Sequence, residues 1–188
     1  MRVAIITESF PPQRDPVSDS VLQLIDRLRD DDHEVLVVAP DNPRGQRRAD
    51  RVHDGIRVHR VPVLRGRDGA LHGLPRPRLL GVLRGFRPHV VHVASPGLLG
   101  YGGLRVARRL GVPTVAVCQP GPAGSHPGRV WLRHLHGCAD RTLAPSAPAL
   151  ECLAAGGVPR VYFWPPNRPT VYAELIDHYR AVAAGPTR

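Results

Sequence analysis

Short apolar runs alternate with helix-like segments along this chain, and this alternation constrains the fold more than any other feature. The runs are Val3–Ile6, Val35–Ala39, Ile56–Val61, Val90–Ala94, Thr114–Cys118, Thr142–Ala144 and Val158–Phe163. Several of them are continuously apolar, as expected for strands that are covered by helices on both faces. The alternation therefore predicts an α/β fold with a single doubly wound parallel sheet of about six or seven strands.

The segments between these runs have the spacing of helices or the composition of loops. In the first helix, Val21, Leu24, Ile25 and Leu28 share one face, and Ser18 is the expected N-cap. The other predicted helices are Arg78–Phe86, Leu98–Leu110, Arg129–Gly137 and Ala147–Ala155, with Ser146 as the cap of the last. The polar stretch Asp41–Arg57 is predicted to be a surface segment, and the Gly- and Pro-rich stretch Gly66–Pro77 is predicted to be a mobile loop.

The end of the chain is predicted to form a helix that packs back on the sheet. We assign residues 1–163 to the domain, 164–170 to a Pro-rich linker that contains "WPPNRP", and 171–184 to the helix. Val171, Leu175 and Val182 should be buried, with Tyr172 and Tyr179 at the margin, because an isolated helix of this length is marginal in water.

Composition limits the classes of protein to which the chain can belong. A length of 188 residues suits one domain, and the net charge of +10 comes from arginine without lysine, which suits phosphorylated or anionic partners. The arginines are scattered and aromatic residues amount to 5%, so we expect no nucleic-acid binding. Because no apolar run approaches the roughly 18 residues of a membrane span, we predict a cytoplasmic protein, with peripheral membrane contact left open. Three cysteines without a C-x-x-C pair predict reduced thiols and no metal site.

The segment "TESFPPQRDPVSDSV", residues 7–21, joins the first strand to the first helix. A strand, a tight turn and a helix N-terminus form a common phosphate-binding device, usually with glycine in the turn. Here the turn has Pro11, Pro12 and Pro16 and no glycine. The missing G-x-G-x-x-G turn argues against a nicotinamide or flavin enzyme, and we expect no cofactor.

Ligands of an open parallel sheet bind beside the carboxyl ends of its strands. The polar side chains predicted to lie there, and so to bind substrate, are Glu8, Asp15, Ser18, Ser95, Gln119, Ser125 and His126. Structural alternatives stay open for Glu8 as an acceptor of backbone N–H groups, and for Ser18 and Ser95 as caps. His92, within a strand, is expected to be a hydrogen-bonded core histidine rather than a catalytic one.

Four segments, in order, resemble the N-terminal half of retaining GT-B glycosyltransferases: "MRVAIITESFPPQ", "HEVLVVAP", "FRPHVVHVASPGLLGYGGLRVARRLGVPTVAVCQ" and "HGCADRTLAPSAPALECLAAGGVPRV". They are most similar to actinobacterial GDP-mannose-dependent α-mannosyltransferases of the phosphatidylinositol mannosyltransferase type. The resemblance implies a Rossmann-like domain, half of a GT-B fold, that holds a sugar or lipid-linked acceptor and needs no metal for the chemistry. It also implies a second domain for the nucleotide-sugar and a C-terminal helix that returns to the first domain.

The sequence departs from the family pattern in three places. The family's first loop would have asparagine and glycine at Asp15 and Pro16, and the loop after the fifth strand would have Thr followed by Asp or His at Pro120 and Gly121. The donor domain is missing between "YFWPPNRP" and the final helix. The resemblance therefore implies a glycosyltransferase-like acceptor domain that is inactive alone. The alternative is a non-catalytic binding or assembly module that pairs with a separate protein, such as one that supplies a donor domain.

Overall fold

The computed structural model of the chain describes residues 1–43, 47–65, 71–75, 77–95, 97–118, 129–166 and 169–185. Its strands are β1 (Arg2–Ile6), β2 (Glu34–Pro40), β3 (Val52–His53), β4 (Ile56–Val61), β5 (Val63–Arg65), β6 (Leu71–Gly73), β7 (Val90–Val93), β8 (Thr114–Val117), β9 (Arg141–Ala144) and β10 (Val161–Phe163). Its helices are α1 (Pro16–Asp30), α2 (Arg78–Phe86), α3 (Leu98–Arg109), α4 (Arg129–His136), α5 (Ala147–Ala155) and α6 (Val171–Ala183).

Eight strands form one sheet in the order β10-β9-β8-β7-β1-β2-β4-β3. Neighbours pair in parallel from β10 to β4, and only the last pair of this sheet, β4 with β3, is antiparallel. At its centre, Val3 of β1 lies between Val35 of β2 and Val90 of β7. The predicted α/β fold with a doubly wound parallel sheet is confirmed, but the sheet has eight strands instead of six or seven, and its last strand is antiparallel.

Each of the seven predicted apolar runs overlaps one of the seven parallel strands. The sequence did not indicate the antiparallel strand β3 or the separate hairpin of β5 and β6. Leu71–Gly73 forms β6 within a segment that was predicted to be a loop, so that part of the prediction is wrong. These strands have two or three residues, which is too short for an alternating pattern to show.

Helices cover both faces of the sheet because successive strand residues point to opposite sides. On the first face, Val21 of α1 and Leu175 of α6 belong to the same buried cluster as Val37 of β2. On the second face, α2 and α3 pack on the sheet through residues that include Leu83 and Leu104. In the described part of the chain, no helix has both the length and the apolar character needed to cross a membrane.

The N-cap of helix α1 is Asp15 and not Ser18, which corrects the prediction. Asp15 has extended backbone angles, and its Oδ1 accepts a hydrogen bond from the backbone N–H of Ser18 at 2.8 Å. Pro16 follows in the first turn, where its fixed φ suits a helix and its missing N–H breaks no helical bond. The predicted cap of α5 is confirmed, since the hydroxyl of Ser146 accepts from the N–H of Ala149 at 3.3 Å.

Helix α6 packs its apolar face against the sheet. Leu175 is buried, as predicted, whereas Val171 and Val182 are only partly buried. Tyr172 lies at the margin, but Tyr179 is fully buried, so its predicted marginal position is wrong. Residues four apart share a helix face, which places Tyr179 beside Leu175. The division into domain, linker and helix at residues 163 and 170 stays a prediction.

Candidate functional site

The loops that follow β1 and β7 meet at the carboxyl edge of the sheet. These strands are neighbours, so Thr7 and Ser95, which come after them, lie side by side. The Thr7 hydroxyl donates to the carbonyl oxygen of Ser9 at 2.8 Å, and its oxygen lies 3.2 Å from the Ser95 hydroxyl oxygen. Both side chains are buried. A hydroxyl pair thus joins the first loop to the loop before α3.

Glu8 uses its carboxylate to join three elements at this edge. Its Oε1 accepts from the backbone N–H of Leu99 in α3 at 2.7 Å, and its Oε2 accepts from the N–H of Gly73 in β6 at 2.8 Å. Burial raises the pKa of Glu8, and the backbone N–H donors oppose that rise because they favour the charged form. Of the two predicted alternatives, the structure has Glu8 as an acceptor of backbone N–H groups.

Helix α3 depends on Glu8 for its N-terminal cap. Its N-cap residue, Gly97, has no side chain to accept from the first turn, and Glu8 supplies the missing acceptor from the loop after β1. A Cβ atom at Gly97 would overlap with the Glu8 carboxylate. The backbone φ of Gly97, −117°, is open to any residue. It is therefore the close approach of Glu8, and not the backbone conformation, that requires glycine here.

Asp15 caps the N-terminus of α1, as Glu8 caps the N-terminus of α3. One carboxylate oxygen accepts from the N–H of Ser18, and the other accepts from the hydroxyl of Ser9. Ser18 is itself buried, and its hydroxyl has no hydrogen-bond partner among the described residues. Both long helices that begin at the central carboxyl edge therefore hold a carboxylate of the chain itself at their N-termini.

Arg60, on β4, fixes the first loop from the other side, and no sequence pattern pointed to it. Its guanidinium donates to the carbonyl oxygens of Pro11 at 2.5 Å, Pro40 at 3.0 Å and Asp50 at 2.9 Å. Its Cζ atom lies 5.4 Å from the centre of the Phe10 ring. Partial burial lowers the pKa of Arg60. The scattered arginines of the sequence gave no means of distinguishing this one, because its partners are backbone atoms.

An apolar cavity of about 530 Å³ opens between α1 and α6, beside the ends of β7 and β8. We call it the α1–α6 groove; its apolar lining includes Val21, Leu24, Ala94, Val117, Trp164 and Leu175. His92 also lines it, and burial lowers the pKa of His92 to about 4, so the imidazole is neutral at pH 7. Sequence analysis did not find the groove, which forms only when α6 packs beside α1.

The predicted site residues that the structure describes share one edge of the sheet but do not line the α1–α6 groove. Glu8, Asp15, Ser18 and Ser95 all follow β1 or β7, and the side chains of Glu8, Asp15 and Ser95 make internal hydrogen bonds. The other predicted residues, Gln119, Ser125 and His126, lie outside the described residues. The use of these side chains in substrate binding stays a prediction. His92 is a buried, hydrogen-bonded core histidine, as expected, with its Nδ1 2.9 Å from the hydroxyl oxygen of Tyr179.

Comparison with known proteins identifies relatives of this chain. Residues 17–166 match the family model described as Glycosyltransferase Family 4. A "GDP-mannose-dependent alpha-mannosyltransferase" of Mycolicibacterium smegmatis is 57% identical over 176 residues, which covers 87% of this chain and 47% of the relative. The protein of the same description from Mycobacterium tuberculosis is 54% identical, with the same coverage. The chain thus spans about half the length of the curated relatives it matches.

A solved structure shares the fold of the chain almost from end to end. It is a piece of sucrose-phosphate synthase from Thermosynechococcus elongatus labelled with the ranges 27–220 and 406–426. The TM-score is 0.66 at 14% identity, and the match covers 98% of this chain and 100% of that one. At this identity the likeness concerns the fold alone.

Proposed function

Because this chain belongs to glycosyltransferase family 4, we propose that it is the acceptor-side half of a mannosyltransferase and transfers no sugar on its own. The names of its relatives support mannose as the sugar and GDP-mannose as the donor. Its coverage of about half their length supports a division of the reaction between two halves. We place it in the cytoplasm, in at most peripheral contact with a membrane.

The observation that carries this proposal is that the chain's own carboxylates occupy the N-termini of α1 and α3. A helix N-terminus attracts phosphate through its free N–H groups and the positive end of its dipole. Here Asp15 and Glu8 already accept from those N–H groups. A diphosphate brought to the same place would meet two negative charges and, at Pro16, a residue without an N–H. The edge is therefore poor at holding the donor of a sugar-transfer reaction.

An acceptor places different demands on the same edge. Sugar hydroxyls are neutral, so they need hydrogen-bond partners and no cationic cradle. We propose that a sugar or a lipid-linked sugar binds beside Ser95 and the first loop, with Glu8, Asp15 and Ser18 close by. Gln119, Ser125 and His126 follow β8 in the sequence, and we include them in the proposed acceptor site.

The test is a transfer assay on the purified chain beside the Mycolicibacterium smegmatis relative as a positive control. Both proteins receive radiolabelled GDP-mannose and a mycobacterial lipid extract, and mannosylated lipid is measured together with GDP binding by calorimetry. We expect transfer and GDP binding from the relative, and neither from this chain. Mannose transfer by the pure chain would refute the proposed division of labour.

A second candidate function is a non-catalytic module that only assembles with another protein. The α1–α6 groove favours it, because an apolar cavity of about 530 Å³ is a suitable anchor site for a partner's side chains. The two functions differ in the acceptor: the first requires that the chain bind a sugar or lipid-linked sugar, whereas the second requires only a protein. Equilibrium dialysis of the chain against the labelled lipid extract separates them.

A further inference from the structure

We propose that the α1–α6 groove is the docking site for a separate polypeptide that corresponds to the half of the mannosyltransferases this chain does not span. The inference rests on the proposed function, because it identifies the partner that an acceptor-side half requires. It goes beyond that function in assigning a surface and a kind of partner.

The lining of the groove suits side chains of a protein better than a sugar. Its floor and walls are mainly apolar, and Ser20, Gln23 and Arg27 stand at its lip on exposed positions of α1. Within the wall, the indole Nε1 of Trp164 already donates to the carbonyl oxygen of Val171 at 3.1 Å. The hydroxyl of Tyr172 likewise donates to the carbonyl oxygen of Arg27 at 3.1 Å. A sugar needs several converging polar groups, whereas an apolar side chain needs only the cavity.

The path of the chain connects the groove with the half of the relatives that this chain does not span. The family match ends at Pro166, and both Pro166 and Pro169 line the groove. The relatives are about twice as long as the part that this chain covers. This chain passes from β10 into α6 at the wall of the groove. A polypeptide that continued beyond this point, as the relatives do, would therefore begin at that wall. If that half is supplied as a separate chain, we expect it to contact this chain at the groove.

The strand that leads into the wall of the groove lies at the end of the sheet. Phe163 precedes Trp164 and is 46% exposed, which makes it one of three exposed large hydrophobic residues in the described part of the chain. It lies on β10, the end strand of the sheet, which pairs with β9 alone. Because successive strand residues point to opposite faces, Phe163 does not share the groove with Trp164. The feature beside the groove is the edge of an end strand, which is typical of a surface that a protein covers.

Charge further defines the partner. The chain has a formal net charge of +10, and Arg27 stands at the lip of the groove. We therefore expect an acidic contacting surface on the partner and a complex that weakens as salt concentration rises. A second copy of this strongly basic chain would be repelled by the same charge.

The test uses the full chain and the C-terminal half of the Mycolicibacterium smegmatis relative, expressed separately from the part that this chain matches. GDP binding by that half first establishes that it is folded. Calorimetry and light scattering then measure complex formation with the chain, with Gln23→Trp, and with Asp26→Trp. Both positions are exposed on α1, but only Gln23 lines the groove, so Asp26→Trp is the matched control. We expect a 1:1 complex that Gln23→Trp weakens at least about tenfold and Asp26→Trp leaves within about twofold.

Three results would overturn the docking proposal. In the first, the folded C-terminal half forms no complex with the chain. In the second, a complex forms but Gln23→Trp does not weaken it. In the third, the chain forms a dimer that Gln23→Trp disrupts. Both variants should keep the melting temperature of the wild type, so that a weaker complex reflects the changed surface and not a loss of folding. The proposed function fails separately: if the complex forms through the groove but transfers no mannose from GDP-mannose, the docking site stands and the acceptor-side function does not.

Discussion

The hydroxyl oxygen of Tyr179 lies 2.9 Å from Nδ1 of His92, and this pair joins the last helix of the chain to a central strand of the sheet. Tyr179 is 0% and His92 3% exposed. Their rings meet edge to face, with centroids 5.8 Å apart. Because each supplies a hydrogen-bonding partner for the other, α6 is held by a specific polar contact inside an otherwise apolar interface.

Replacement of Tyr179 by Phe should destabilise the domain with little change of shape. The variant leaves Nδ1 of His92 buried without its partner, which costs about 1–3 kcal/mol. The denaturant midpoint measures the loss of unfolding free energy. Tyr162→Phe is the control, because Tyr162 is only half-buried and keeps its ring contacts in that variant. Equal midpoints for the two variants would show that the His92–Tyr179 bond contributes nothing.

Stability should fall as the pH falls from about 6.5 to about 4, because burial lowers the pKa of His92 from 6.5 to about 4. In that window the unfolded chain binds a proton on His92 that the folded chain does not, so acid favours unfolding. The depressed pKa of His92 alone corresponds to about 3 kcal/mol at most. The pKa of His136 is also lowered to about 4 by burial, and it adds a loss of the same sign.

The measurement is the unfolding free energy at a series of pH values for the wild type and for His92→Gln. Glutamine does not titrate, so the variant should lose part of the slope between pH 4 and 6.5 and keep the part that comes from His136. Parallel curves for the two proteins would contradict the assignment to His92.

Gly97 and Glu8 should show strong coupling in a double-mutant cycle. A methyl group at Gly97 would displace the Glu8 carboxylate from the N–H groups of Leu99 and Gly73. We expect Gly97→Ala to cost about 1–3 kcal/mol in the wild type and much less once Glu8→Ala has removed the clash. Denaturant unfolding of the four proteins gives the coupling free energy. Additive effects would mean that α3 does not depend on Glu8 for its cap.

Arg60 should be irreplaceable by lysine, since one ammonium group cannot reach the carbonyl oxygens of Pro11, Pro40 and Asp50 together. We expect Arg60→Lys to speed hydrogen exchange in the first loop and to lower stability by about 1–2 kcal/mol. Arg57→Lys on the same strand is the control, because Arg57 is exposed. If hydrogen exchange in the first loop is as slow in Arg60→Lys as in Arg57→Lys, the hydrogen bonds of Arg60 do not hold that loop in place.

The sequence was sufficient to predict the parallel strands of the sheet because most of them are continuous apolar runs. A strand such as β1 is buried on both faces, so its residues are apolar one after another. The apolar run from Val3 to Ile6 therefore identifies the strand without knowledge of its neighbours. The N-cap of α1 was harder to locate, because Asp15 and Ser18 are both residues that cap helices. The presence of Pro16 decides between them, since proline suits the first turn of a helix that begins after Asp15.

The candidate site was less predictable because its contacts join distant parts of the chain. Glu8 reaches N–H groups of Gly73 and Leu99, and backbone N–H groups leave no trace in a sequence. The α1–α6 groove depends on how closely two helices pack, which residue types do not specify. His92 is a partial exception: an isolated histidine in an apolar strand indicated a buried, bonded ring, but not that Tyr179 would bond to it.

The docking of α6 itself can be tested by a charge placed on its buried face. Leu175 is 2% exposed and lies in the cluster shared with α1 and the sheet, so Leu175→Asp would bury a carboxylate without a partner. We expect a loss of about 3–5 kcal/mol in unfolding free energy, measured by the denaturant midpoint. Ala173→Asp puts the same side chain on an exposed position of the same helix and should change stability by no more than about 0.5 kcal/mol. A truncation after residue 166 should resemble Leu175→Asp. If both match the wild type, α6 adds nothing to the stability of the sheet.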